Sequence, residues 1–252
     1  MIGADDHLVS LVAPHSMEAE QYRVLRHAVE QKHYESGLEV VAVTSAAPGD
    51  GKTLTAVNLA GALAQSSDSH VLLLDADLRC GTVHVLLKLG AGLGLVDAIL
   101  DETLALDDVV RPVPRFNLSV LPVGRAAVTP YELLKSPRFA RLLADARTRY
   151  QYVVVDTPPV GLLPDARLIE QWIDGVLVVV AAHKTPRQLV EAALDVMNPD
   201  KMLGIVWNRE HRRVSSYGYY GGYGHAANGH GAGWWSALTK RFGSRSRVSN
   251  TE

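Results

Sequence analysis

The sequence predicts an α/β fold, a doubly wound and mostly parallel sheet with helices on both faces. Two observations carry that expectation. Several apolar runs are continuous rather than alternating, as in Val40-Val41-Ala42-Val43 and Val153-Val154-Val155. Such runs belong to strands covered on both sides, the condition of a parallel sheet. The runs also alternate along the chain with segments of helical period. Right-handed crossovers then place any ligand at the carboxyl ends of the strands. A chain of 252 residues with 47% apolar composition holds enough core for one large domain of this kind.

Taken in order, residues 1–16 read as a flexible lead and residues 17–35 as an amphipathic helix with Tyr22, Leu25 and Val29 on one face. Strands are expected at 40–44, 71–74, 118–121, 152–155, 176–181 and 203–206. Helices are expected between them at 54–64, 94–100, 137–150, 164–172 and 186–197. One domain thus spans 17–213. Residues 214–252 read as a Gly/Tyr-rich mobile tail with a basic end, because Tyr217-Gly218-Tyr219-Tyr220-Gly221-Gly222-Tyr223-Gly224 cannot build a core. Trp234-Trp235 with Lys240, Arg241, Arg245 and Arg247 reads either as a segment that docks on anionic membrane or as a disordered end.

Bulk properties narrow the function classes. A net charge of −2 gives no sign of a nucleic-acid partner. The single cysteine, Cys80, excludes an internal disulfide framework and a cysteine zinc site, and it fits a reducing compartment. The longest apolar run, 176–182, is too short to span a bilayer. The start, MIGADDHLVS, lacks the basic and apolar regions of a signal peptide. A cytoplasmic protein is expected.

Three motifs carry chemistry. The first, Ala46-Ala47-Pro48-Gly49-Asp50-Gly51-Lys52-Thr53 followed by Leu54, lies between a strand and a helix. It reads G-x-x-x-x-G-K-[ST] with Ala46 at the first glycine, so the fold is of P-loop NTPase type. Gly49 and Gly51 let main-chain N–H groups turn inward, and the helix start adds a positive dipole end. Lys52 suits the β- and γ-phosphates of ATP, and the Thr53 hydroxyl suits Mg²⁺. The second motif is Leu74-Asp75-Ala76-Asp77-Leu78-Arg79, where two carboxylates and an arginine close a buried strand. Two close carboxylates need a cation or a shared proton. The third is Val155-Asp156-Thr157-Pro158-Pro159, an acid after a buried strand, as in a Walker B that anchors Mg²⁺ or its water. Lys52, Asp75, Asp77 and Asp156 are therefore the candidate catalytic set. Thr53, Asp75 and Asp156 are the candidate metal holders, and Asp75 or Asp77 is the base.

Together the three motifs resemble those of the bacterial tyrosine kinases of capsule and exopolysaccharide synthesis, over about residues 17–224. Asp75, Asp77 and Arg79 fill that family's apolar-D-x-D-x-R motif, and Asp156 and Pro159 fill its apolar-D-x-x-P motif. Glu20, Arg23 and Arg26 match its E-x-x-R-x-x-R segment, which implies ring-like homo-oligomers; on spacing alone they equally fit a solvated helix face. Glu132-Leu133-Leu134-Lys135-Ser136-Pro137 is similar to its E-L-L-x-S-P stretch. Asn208-Arg209 resembles its adenine-contacting segment, and Arg79 stands on the same nucleotide side. Tyr217, Tyr219, Tyr220 and Tyr223 resemble its autophosphorylation tail. The resemblance implies an ATP- and Mg²⁺-dependent protein-tyrosine autokinase that regulates polysaccharide polymerisation and export. It implies as partners a membrane polysaccharide co-polymerase adaptor, which would hold the chain at the inner face of the cell membrane, and a cognate tyrosine phosphatase. Cys80-Gly81 depart from the Arg-Pro of many members, and Thr129 replaces a common Asn.

Two other readings compete. A positioning ATPase of the partitioning or division-site type shares the fold, but it usually carries a signature lysine where this chain has Ala47 and lacks the arginine found here at Arg79. A regulatory scaffold that binds nucleotide without kinase activity would keep every motif.

Overall fold

The computed structural model of the chain describes residues 5–160 and 165–209. Helices α1 (Val9–Val12) and α2 (Met17–Ser36) precede β1 (Val40–Ser45), α3 (Lys52–Leu63) and β2 (Val71–Asp75). Three short helices follow, α4 (Val83–Leu86), α5 (Leu95–Leu100) and α6 (Leu106–Val109), then β3 (Arg111–Val113) and β4 (Leu118–Leu121). Next come α7 (Pro130–Lys135), α8 (Pro137–Arg149), β5 (Tyr152–Asp156), α9 (Asp165–Glu170), β6 (Gly175–Ala181), α10 (Arg187–Asp195) and β7 (Met202–Asn208).

The strands form one sheet in the order β3-β4-β2-β5-β1-β6-β7, parallel except for the β3–β4 pair. Every residue of β1, β2, β5 and β6 is buried, as their continuous apolar runs require, whereas edge strand β7 is only half-buried. The order matters for the site. Strand β5 inserts between β1 and β2, with Val43 beside Asp156 and Asp75 beside Asp156 across the two registers. Three motifs far apart in sequence therefore finish at one edge.

Helix boundaries follow local chemistry. The Ser16 hydroxyl accepts the Ala19 N–H at 3.1 Å to start α2, and Gly37, left-handed at φ 70°, ends it. Ser136, within the Glu132–Pro137 stretch, accepts the Phe139 N–H at 3.2 Å and so caps α8, with Pro137 in the first turn. The core on one face of the sheet joins Val41, Val43, Leu73 and Val154 to Ala56, Leu59, Ala60 and Leu63 of α3.

Two departures from the sequence reading are physical. Residues 5–16, expected to be a flexible lead, pack instead: Leu8 and Leu11 are buried in the core against α3. The fully buried Asn58 of α3 accepts the Ser10 N–H at 2.9 Å and donates to the His7 carbonyl at 3.0 Å. A segment of four helical residues is too short to show a period, so its apolar face was not legible. Strand β3 was also missed, because Pro112 argues against a strand and is tolerated only at an edge such as this one.

Candidate active site

The loop from Ala46 to Thr53 joins β1 to α3 at the carboxyl edge of the sheet. Gly51 is the N-cap of α3 at φ 97°, and a side chain there would overlap the Asn208 amide. Ala46 is buried in the first-glycine position. Lys52 opens the helix and turns its ammonium onto the acids, with Asp77 Oδ2 at 2.8 Å and Asp156 Oδ1 at 3.7 Å. It also donates to Thr53 Oγ1 at 3.2 Å. The structure thus brings Lys52, Thr53, Asp77 and Asp156 together.

Asp75 sits one layer deeper. It is fully buried, and its two oxygens accept the main-chain N–H groups of Asp77 and Val83, each at 3.2 Å. Asp77 Oδ1 accepts the Cys80 N–H at 3.1 Å, so the turn is held by its own carboxylates. At Gly81 a Cβ would overlap Val123 Cγ2 and stand 2.8 Å from an Asp75 oxygen, so this turn leaves no room for a side chain there. Burial and then the Asp156 charge push the Asp75 carboxyl up to about 8. Burial pushes Asp156 up to about 6, with the Lys52 ammonium opposing. Burial works to lower the Lys52 pKa, but the charges of Asp156 and Asp77 outweigh it and hold it above the ordinary lysine value.

Neither Asp156 oxygen has a hydrogen-bond partner, although both are buried. Two buried carboxylate oxygens without a hydrogen bond, one of them 3.7 Å from the Lys52 ammonium, beside a threonine hydroxyl and a phosphate loop have the donor chemistry of a Mg²⁺ site. Among the described residues no three His, Cys, Asp or Glu side chains are arranged to hold a metal by themselves. An ion here would therefore rely on phosphate oxygens and water as well, which is the habit of Mg²⁺.

The other expected residues fall as follows. Arg79 does not reach the loop acids; its Nε donates to Asp165 Oδ2 at 2.7 Å, tying the acidic turn to α9. Asn208 ends β7 and donates to the Asp50 carbonyl at 2.8 Å, so it braces the loop. Arg209 follows, exposed, at φ 62°. Glu20 and Arg23 pair at 2.8 Å on α2, with Arg23 also donating to the Pro14 carbonyl at 3.0 Å. Arg26 is turned inward, to Glu30 at 2.8 Å and to the Ala62 carbonyl at the end of α3 at 3.0 Å. Tyr217, Tyr219, Tyr220 and Tyr223 lie outside the described residues.

Sequence reasoning missed Asp165, Thr185 and Lys184. Asp165 is fully buried against Arg79, and the Thr185 hydroxyl donates to Asp50 Oδ1 at 2.6 Å. Lys184 Nζ lies 3.4 Å from where a Cβ on Gly49 would stand. All three come from segments after β5 and β6, and no local motif marks them.

Fold and loop define a P-loop nucleotide-binding domain. A family model described as an AAA domain matches residues 38–197. The tyrosine-protein kinase YwqD of Bacillus subtilis is 34% identical over 218 residues, covering 85% of this chain and 91% of that one. The succinoglycan biosynthesis transport protein ExoP of Rhizobium meliloti is 34% identical over 202 residues, covering 78% of this chain and 25% of that one. The solved kinase domain of the Escherichia coli tyrosine kinase ETK superposes with a TM-score of 0.75 at 27% identity, covering 87% of this chain and 84% of that one. The chain belongs to the bacterial tyrosine-protein kinases of the AAA-domain family. Among its described residues no helix is long and apolar enough to cross a membrane.

Proposed function

We propose that the chain is an ATP-dependent protein-tyrosine autokinase that regulates capsule or exopolysaccharide polymerisation and export. The observation that carries this reading is the convergence of Lys52, Asp77 and Asp156 at the mouth of the loop, with Lys52 Nζ 2.8 Å from Asp77 and 3.7 Å from Asp156. The phosphates of ATP lie along Ala46–Thr53, where the N–H groups of the loop and of the α3 start face them. Lys52 exchanges its carboxylate partners for the β- and γ-oxygens and offsets the charge that develops on them. Thr53 and Asp156, with Asp75 behind, would hold Mg²⁺, which supplies charge neutralisation to the transferring phosphoryl group.

The acceptor is a tyrosine of the 217–223 cluster of a neighbouring subunit. Its phenolic oxygen bonds to the γ-phosphorus as the bond from that phosphorus to the ADP oxygen breaks. The phenol proton passes to Asp77. Asp77 is preferred over Asp75 as the base because its Oδ2 is released when Lys52 turns to the phosphates, whereas both Asp75 oxygens stay bound to main-chain N–H groups. A phenol with a reference pKa of about 10 needs such a base near neutral pH. Glu20 and Arg23 serve self-association, and Asn208 with Arg209 faces the adenine side. A membrane co-polymerase adaptor recruits and activates the chain at the inner membrane face, and a tyrosine phosphatase resets it.

Incubation with ATP and Mg²⁺ followed by phosphotyrosine detection tests this. Self-labelling that Lys52→Met abolishes is the expected result. Phosphate release without labelling would instead identify a positioning ATPase, and nucleotide binding with neither outcome would identify a scaffold.

A further inference from the structure

Asp50 is an acid inside a loop that must accept a polyphosphate. Like charges this close repel strongly when both are poorly solvated. Asp50 is nonetheless almost fully buried, at 1% exposure. Its geometry shows how the conflict is resolved. Oδ2 accepts the Ala47 N–H at 3.0 Å, across the loop itself. Oδ1 accepts the Thr185 hydroxyl at 2.6 Å, from the turn after β6. The main-chain oxygen accepts Asn208 Nδ2 at 2.8 Å, from the end of β7. The Thr185 oxygen in turn accepts the Ala181 N–H at 3.2 Å, so the hydroxyl is fixed to the last residue of β6. The Thr185 and Asn208 contacts draw Asp50 toward β6 and β7, and the Ala47 contact closes the loop on it.

We propose that Thr185 is a positioning residue for the nucleotide, acting through Asp50. Its hydroxyl keeps the Asp50 carboxylate turned toward the sheet, so that the loop presents N–H groups rather than a negative charge to the phosphates. The hydroxyl is suited to this because it donates and accepts at once, which an apolar isostere cannot do. Without it, one Asp50 oxygen loses its donor while buried, and the cheapest relief is a swing into the phosphate site. The proposal rests on reading the Ala46–Thr53 loop as the phosphate site.

A double-mutant cycle on ADP binding, with Mg²⁺ present and thermal stability measured alongside, tests it. Thr185→Val should weaken ADP about tenfold, equivalent to ~1.4 kcal/mol. Thr185→Ser, which restores the hydroxyl, should bind as the unaltered chain does. In an Asp50→Ala background, Thr185→Val should change the ADP affinity no further, because there is no carboxylate left to hold. In kinase assays the KM for ATP should rise by more than kcat falls. If Thr185→Val lowers the melting temperature but leaves ADP affinity unchanged, the residue is only structural and the proposal is wrong. An equal loss in both backgrounds would show that Thr185 acts by another route. Should Thr185→Val not fold, Thr185→Ala takes its place in the same cycle. An unaltered chain that binds no ADP would overturn the phosphate-site reading itself, whereas binding equal to that of Thr185→Val overturns this proposal alone.

Discussion

Lys52 stands between two carboxylates, and its role depends on charge rather than on packing. Lys52→Met should therefore abolish ATP-dependent labelling while the melting temperature stays within a few degrees of the parent. Labelling at the parent rate would remove the loop from the mechanism. The acids make a second, independent expectation. The Asp75 carboxyl titrates near 8 in the fold, well above the usual value near 3.9 for an unfolded chain. Between those values the native state binds more protons than the unfolded state. Stability therefore falls as pH rises through that window. In EDTA and without nucleotide, the melting temperature should drop from pH 5 to pH 8.5, and Asp75→Asn should flatten that slope. A stability that rises with pH over the same range would contradict the burial of a protonated Asp75. In kinase assays Asp77→Asn should slow transfer by roughly 10²-fold, the usual scale of general-base loss.

Among the elements, α1 and α2 separate packing from assembly. Leu8 is fully buried against α3, so Leu8→Ala should cost about 2–5 kcal/mol in urea unfolding. A loss below 0.5 kcal/mol would return residues 5–16 to the status of a flexible lead. The E-x-x-R-x-x-R residues are not equivalent. The Arg26 side chain is 22% exposed and caps the end of α3, whereas those of Glu20 and Arg23 are 53% and 37% exposed. Arg26→Ala should lower stability by about 1 kcal/mol, as for a lost hydrogen bond. Glu20→Ala with Arg23→Ala should leave stability nearly unchanged and shift light-scattering mass toward the monomer. Unchanged mass, under conditions where the parent assembles, would reduce the pair to a solvated ion pair.

For the whole molecule, the expectation is a cycle. Tyr217, Tyr219, Tyr220 and Tyr223, the tyrosines of the glycine-interleaved cluster, should carry most of the incorporated phosphate. Each phosphate adds about −1.5 to −2 charges, so a modified tail is repelled by the acidic site and by itself. Assemblies should dissociate as labelling proceeds, and mass spectrometry with light scattering can follow both. Phosphate found mainly on Tyr22, Tyr34 or Tyr150 would remove the tail from the mechanism.

The parallel sheet and the three motifs that meet at its carboxyl edge were legible in the chain itself. Continuous apolar runs reveal strands buried on both faces, and Gly51-Lys52-Thr53, Asp75, Asp77 and Asp156 each follow such a run. Local chemistry was enough because each motif is contiguous. The structure decided what depends on neighbours distant in sequence. The insertion of β5 between β1 and β2 sets Asp156 beside Asp75 and Lys52. The tertiary fold also turned Arg79 to Asp165, Arg26 to Ala62 and Asn208 to Asp50, contacts spanning 86, 36 and 158 residues. Hydrogen bonds of that span leave no periodic or compositional trace. The donors that steady a charged loop become visible only when the chain has closed around it.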